Sequence, residues 1–184
     1  EQQLYFDAAQ FRLAGVPVMY IPRLRMPDPT LTRATGFLMP TFRTTSNLGT
    51  GLSLPYFVKI GDSRDLLITP YFTTSGARTL GLRYRQAFAT GDLTVSGALS
   101  RDDLIPNETR GYVLAQGRFS LPQGFALDLR GEMVSDQAYL LDYGYPAADR
   151  LESRAEISRI RRNEYISARL SGFQSIRPGD DNTT

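Results

Sequence analysis

Two aspartate pairs, Asp102-Asp103 and Asp180-Asp181, and a looser couple, Asp136 and Asp142 around Tyr139, could do acid chemistry or hold a hard cation. The pairs fall in loop-like stretches. Calcium or magnesium could use such carboxylates, but the plainer reading is solvated turn residues, and no nucleophile stands beside Asp136 or Asp142. The sequence holds no cysteine and no histidine. Disulfides, thiolate metal sites and cysteine nucleophiles are therefore excluded, as are the usual general base and the commonest metal ligand. Neither a Ser-His-Asp triad nor a zinc site can be built from this chain alone. The expectation is a protein without catalysis and without a cofactor. Arg159, Arg161 and Arg162 could pair with phosphate groups, whose geometry suits guanidinium, or could lie at a turn. The net charge of +2 is too small to argue for a nucleic-acid partner.

What remains is the chemistry of the main chain. Arg33 to Ile60 reads RATGFLMPTFRTTSNLGTGLSLPYFVKI. Two strand-forming runs flank a polar turn, and each carries an internal proline, Pro40 and Pro55. Proline has no N–H to give to a ladder and is confined to edges, strand starts and bulges. Two of them in neighbouring strands mark a weakened place in a sheet, or a bulge that relieves curvature. Upstream, Leu4 to Leu13 reads as a strand ending at Ala14-Gly15. Val16 to Pro22, bracketed by Pro17 and Pro22, reads as an extended segment. Arg23 to Thr32, with Pro27 and Pro29, reads as a connector.

After the connector the pattern has period 2. Leu80, Leu82, Tyr84, Gln86 and Phe88 alternate with Thr79, Gly81, Arg83, Arg85 and Ala87. Phe125, Leu127, Leu129, Gly131 and Met133 alternate with Ala126, Asp128, Arg130, Glu132 and Val134. Leu151, Ala155 and Ile157 oppose Glu152, Arg154 and Glu156. Ile166, Ala168 and Leu170 oppose Tyr165, Ser167 and Arg169. Turn residues punctuate these runs, helical periodicity is nowhere convincing, and about nine strands at roughly ten-residue spacing suit an antiparallel up-and-down meander. No apolar run reaches the 18 or so residues of a membrane helix, but a barrel strand needs only about 10 alternating residues. The charged face, with Arg83, Arg85, Asp128, Arg130, Glu132, Glu152, Arg154 and Glu156, suits a wet lumen wall with lateral ion pairs. The opposite face suits lipid. A soluble sandwich and a passive porin wall are the alternatives. The absence of tryptophan departs from the usual aromatic girdles. The opening Glu-Gln-Gln carries no secretory leader and the closing stretch no strand, so the chain is expected to be a piece of something longer.

Val16-Pro17-Val18-Met19-Tyr20-Ile21-Pro22, Gly36-Phe37-Leu38-Met39-Pro40, Leu54-Pro55-Tyr56-Phe57 and Ile68-Thr69-Pro70-Tyr71 follow one another in order. Tyr84-Arg85, Arg110-Gly111, Val134-Ser135-Asp136 and Tyr139-Leu140-Leu141-Asp142-Tyr143 come after them. In order and spacing the sequence resembles the LptD family of lipopolysaccharide-assembly proteins of the Gram-negative outer membrane, from about Gln10 to Gln174. The resemblance implies an all-β chain. Residues 1–32 would be the end of a periplasmic β-jellyroll and a hinge. Residues 33–184 would be the first part of a transmembrane β-barrel of about 26 strands. It implies lipopolysaccharide as cargo, an LptE-type plug lipoprotein, an LptA-type periplasmic bridge protein and outer-membrane lipid as partners. It makes Pro40 and Pro55 part of a lateral gate between the first and last strands, with Pro17 and Pro22 nearer the hinge. Some members carry cysteines that tie the two domains together; this stretch has none. It also stops short of a closing strand, so it should not transport alone.

Overall fold

A computed structural model describes residues 3–13, 16–27, 34–143 and 150–177. The chain is almost entirely antiparallel β structure, as its alternation demands. β1 (Gln3–Leu13) and β2 (Val16–Pro27) form a hairpin of their own. Their ladder passes from Asp7–Arg23 to Ala9–Ile21, skipping Ala8 and Pro22, and Ala8 takes a φ of 57° there. Pro17 pairs with Arg12, where the register shifts. β2 thus tolerates its prolines as a strand of a two-stranded sheet does, at bulges and on an open edge. Its pairing continues through Arg23 to Pro27, which the proline count alone assigns to a connector: Pro27 still faces Gln3. Residues 28–33 lie outside the described stretch.

The second sheet contains β3 (Gly36–Phe37), β4 (Thr41–Thr45), β5 (Gly49–Ser53), β6 (Tyr56–Lys59), β7 (Arg64–Thr73), β8 (Arg78–Phe88), β9 (Gly91–Arg101), β10 (Arg110–Ser120), β11 (Phe125–Val134), β12 (Arg150–Arg161) and β13 (Glu164–Ser175). From β7 to β13 every neighbour is a sequence neighbour, while β7 takes both β5 and β6 on its other side and β3 pairs with β6, so the sheet runs as a meander. β3 with β4, and β5 with β6, are the two halves of interrupted strands, so the eleven segments trace the nine strands that the spacing of turns predicts. Among the described residues the sheet does not close on itself, and no helix is long and apolar enough to cross a membrane.

Connections 60–63, 89–90, 121–124 and 162–163 lie at one end of the sheet, the turn end. Connections 46–48, 74–77 and 102–109, and the one that begins with 135–143, lie at the other, the loop end. The last carries a single helical turn, α1 (Tyr139–Asp142), which the periodicity of the sequence does not reveal. One turn is too short to print a period of 3.6, and it stands on tertiary contacts.

Antiparallel register preserves parity, so each strand's apolar set stays on one side. Ile68, Leu82, Gly97, Val113 and Met133 follow one another across the strands on one face; Asp65, Arg85, Thr94, Gln116 and Arg130 follow one another on the other. The apolar face is uncovered. Leu80, Leu82, Leu99, Val113, Met133 and Leu170 are all exposed, far more than a sheet in water leaves bare. The buried core lies instead on the charged face, at the loop end. There Leu48, Ala77, Val134, Tyr139, Leu140, Tyr143 and Ile176 pack together with Leu151, which the alternation assigns with Ala155 and Ile157 to the apolar side but which is buried here instead. At the same end β12 leaves β11, and its pairing with that strand stops at Arg130–Arg154. Gln174 of β13 fills the gap: its side-chain amide donates to the Val134 carbonyl and accepts from the Val134 N–H, at 2.9 and 3.1 Å.

Candidate functional site

The proline pair sits where the first two strands are interrupted. Phe37 pairs with Tyr56 below the break and Thr41 with Ser53 above it. Three residues, 38–40, therefore face two, 54–55, which is a β-bulge. One main-chain bond crosses it, from Leu38 N to the Pro55 carbonyl at 2.9 Å. Pro55 cannot return that bond. A third proline, Pro70, stands at the same height in β7. It accepts from Leu54 N at 3.0 Å and likewise has no N–H to give back, so the weakness continues one strand further. The sequence shows Pro70 but not this alignment, which needs the register. Pro17 and Pro22 are exposed in the separate β1–β2 hairpin.

The charged residues share one face, and most are tied across strands. Arg85 bonds Asp65 through two nitrogens at 2.9 and 3.0 Å. Arg118 and Arg154 both reach Asp128, and Glu156 pairs with Arg154 and Arg169. Arg130 bonds Glu132, whose second oxygen accepts from Glu152 N at 3.1 Å. Arg83 lines a cleft of about 320 Å³ with Arg43, Thr69, Tyr71, Ser96 and Tyr143. Gly51 leaves room for the Tyr71 ring, which any side chain there would run into. Apart from Arg85–Asp65, whose carboxylate is buried, such partly exposed pairs contribute roughly 0–1 kcal/mol each, so the ladder shapes the surface's charge more than it stabilises the sheet. Arg161 donates to the Gln123 carbonyl and Arg159 pairs with Glu164, both at the turn end.

The strongest electrostatic feature is one that the sequence does not announce. Arg110, at the start of β10, is 1% exposed. Its guanidinium bonds both oxygens of Asp136 at 2.9 and 2.8 Å, Asp142 at 2.8 Å and Asp102 at 3.4 Å. Asp102 is buried and accepts from the Tyr143 hydroxyl at 2.6 Å. This corrects its reading as a solvated turn residue; Asp180-Asp181 lie outside the described residues. Tyr139 stacks on Tyr143, lies under Arg110, and joins Ser100 and Thr79 in a chain of hydroxyls at 2.7 Å. The cluster folds the 135–143 loop onto the charged face. Among the described residues no group of three or more acidic side chains is placed to hold a metal ion; these carboxylates turn to a guanidinium.

Burial pushes the Asp136 carboxyl up, but hydrogen bonds from Arg110 and Ser135 and the guanidinium charge outweigh it and hold it below the usual carboxylate range. Burial first, then the Asp102 acceptor, push the Tyr143 hydroxyl up to about 12, so it remains a donor. A carboxyl depressed on folding stabilises above its ordinary pKa of about 3.9 and loses that contribution as pH falls through the folded value. The loop over α1 is therefore expected to resist protease at neutral pH and to open only below about pH 4. Cleavage within 135–143 at pH 6 would contradict this.

Comparison with known proteins fits this architecture. The profile of a family described as "LptD: LPS transport system D" matches residues 108–184. The LPS-assembly protein LptD of Idiomarina loihiensis is 30% identical over 147 residues, covering 79% of this chain and 19% of the relative. That of Chromobacterium violaceum is 34% identical over 138 residues, covering 74% and 17%. That of a Shewanella species is 30% identical over 180 residues, covering 94% and 23%. The chain spans about a fifth of the length of the relatives it matches.

Proposed function

Since the chain belongs to the LptD family, we propose that it is the early wall of the outer-membrane machine that delivers lipopolysaccharide to the cell surface. Residues 1–32 would close the periplasmic jellyroll and hinge it to the wall; residues 33–184 would begin the barrel. The apolar face meets acyl chains, and the ion-paired face lines the lumen. The short turns lie on the periplasmic side and the longer loops outside, the usual arrangement of such barrels. An LptE-type plug would meet the charged face and an LptA-type bridge protein the jellyroll. The reaction is movement without catalysis. The proline break, at the first strand, is the lateral gate through which lipid passes while sugar stays in the lumen.

One observation carries this reading. The leucine side is bare while the arginine side carries the ion pairs and the packed loop. A soluble sandwich would bury that leucine side. A photoreactive residue at Arg83 in the full-length protein is expected to capture lipopolysaccharide during export, and one at Leu82 to capture membrane lipid without requiring export. Equal, export-independent labelling at both positions would remove the transport reading and leave a passive wall.

A further inference from the structure

The two ends of the first strand are held very differently. At the loop end, the turn of the first hairpin carries Asn47 and Leu48. Asn47 Nδ2 donates to Asp142 Oδ1 at 2.9 Å, across 95 positions of sequence, and Asp142 is gripped from its other oxygen by Arg110. Leu48 is 1% exposed and belongs to the core formed with Tyr139, Leu140 and Tyr143. Its carbonyl accepts from Ser75 Oγ at 3.0 Å. Drawing this end away from the wall would expose a buried leucine and strip a carboxylate of its amide donor.

Beyond the bulge the picture reverses. β3 meets β6 through two residue pairs, Gly36–Phe57 and Phe37–Tyr56. A bond donated by the Lys59 N–H to the Thr35 hydroxyl and the single bond across the break complete its attachment. Phe37, Leu38 and Met39 are already exposed. Moving this half uncovers little, and the bulge supplies a pivot.

We infer that Asn47, Leu48 and Asp142 are positioning residues of the gate: they pin the loop end of the first strand, so that it yields only on the turn side of Pro40. The inference rests on the gate reading above and adds where along the strand it opens.

The test uses the full-length protein with cysteine pairs at directly opposed positions, whose spacing suits a disulfide. Phe37→Cys with Tyr56→Cys locks the turn-side half. Thr44→Cys with Thr50→Cys locks the half already pinned. The first pair, oxidised, should lower surface delivery of newly made lipopolysaccharide by at least about tenfold and recover with reductant. The second should leave it within about twofold of the parent. If the second pair blocks as strongly as the first, the inference is overturned and the gate survives. If neither blocks, the first strand does not move against the second: the inference is overturned, and a gate that opens between the first and last strands is untouched.

Hydrogen exchange gives a readout independent of transport. Asn47→Ala with Leu48→Ala should raise exchange in β4 and β5 by about tenfold or more, with β8 and β9 unchanged. Asn47 is exposed, so Asn47→Ala alone removes no buried carbon and should raise it severalfold in the same segments. Unchanged exchange in β4 and β5 for the single variant would overturn the pinning role even if the double variant fails to fold.

Discussion

Arg110→Met is expected to lower the stability of the full-length protein by about 3–5 kcal/mol, the usual cost of removing one partner from a buried ion cluster. Three carboxylates, two of them partly screened, would face one another around an apolar side chain. The loop from 135 to 143 would lose its anchor, and with it the cover over Tyr139 and Leu48. Arg110→Lys should recover little, because a single ammonium cannot reproduce the two-nitrogen grip on Asp136 or reach Asp102 and Asp142 together. Asp102→Asn should be far milder, about 1–2 kcal/mol, since it reduces the negative excess and keeps an acceptor for Tyr143. Urea unfolding in micelles, with protease cleavage at 102–109 and 135–143, measures all three. An Arg110→Met protein as stable as the parent would show that the cluster does not hold the loop.

The second large effect is on transport. Replacing Pro40 and Pro55 together with valine returns two N–H groups to the first two strands. The new donor at position 55 would face Leu38, from which the Pro55 carbonyl already accepts. Each restored ladder bond is worth on the order of 1 kcal/mol. Two of them, about 2 kcal/mol, cut the open population by about 30-fold. Surface lipopolysaccharide should fall steeply while the folded yield of the protein is unchanged or higher. Unchanged surface lipopolysaccharide in the double variant would mean that the bulge relieves curvature and nothing more.

Much of the fold is legible in the sequence because strand parity survives assembly. Leu82 and Leu129 keep their side whatever the register, provided it shifts by even steps, and Arg83 and Arg130 keep theirs. The proline break is legible for a related reason: a missing donor is a property of the residue itself. The buried cluster is not legible. Arg110 meets Asp102, Asp136 and Asp142 only because two loops fold back over the sheet, and spacings of 8, 26 and 32 residues follow no local period. Leu48 is hidden for the same reason. It stands in a polar turn, TTSNLG, where an isolated leucine reads as incidental until α1 is placed above it. Pro70 is visible as a residue, but its role depends on facing Leu54, which no single strand discloses.

The amide of Gln174 has a consequence for how such a wall is built. It reaches past β12 to satisfy both polar groups of Val134. A growing sheet that has added β12 but not yet its successor leaves that N–H and carbonyl without these partners. Arrival of the next strand then completes two ladders in one step. Insertion past this point would run forward like a ratchet, and Gln174→Leu should leave a stalled intermediate at this point during assembly.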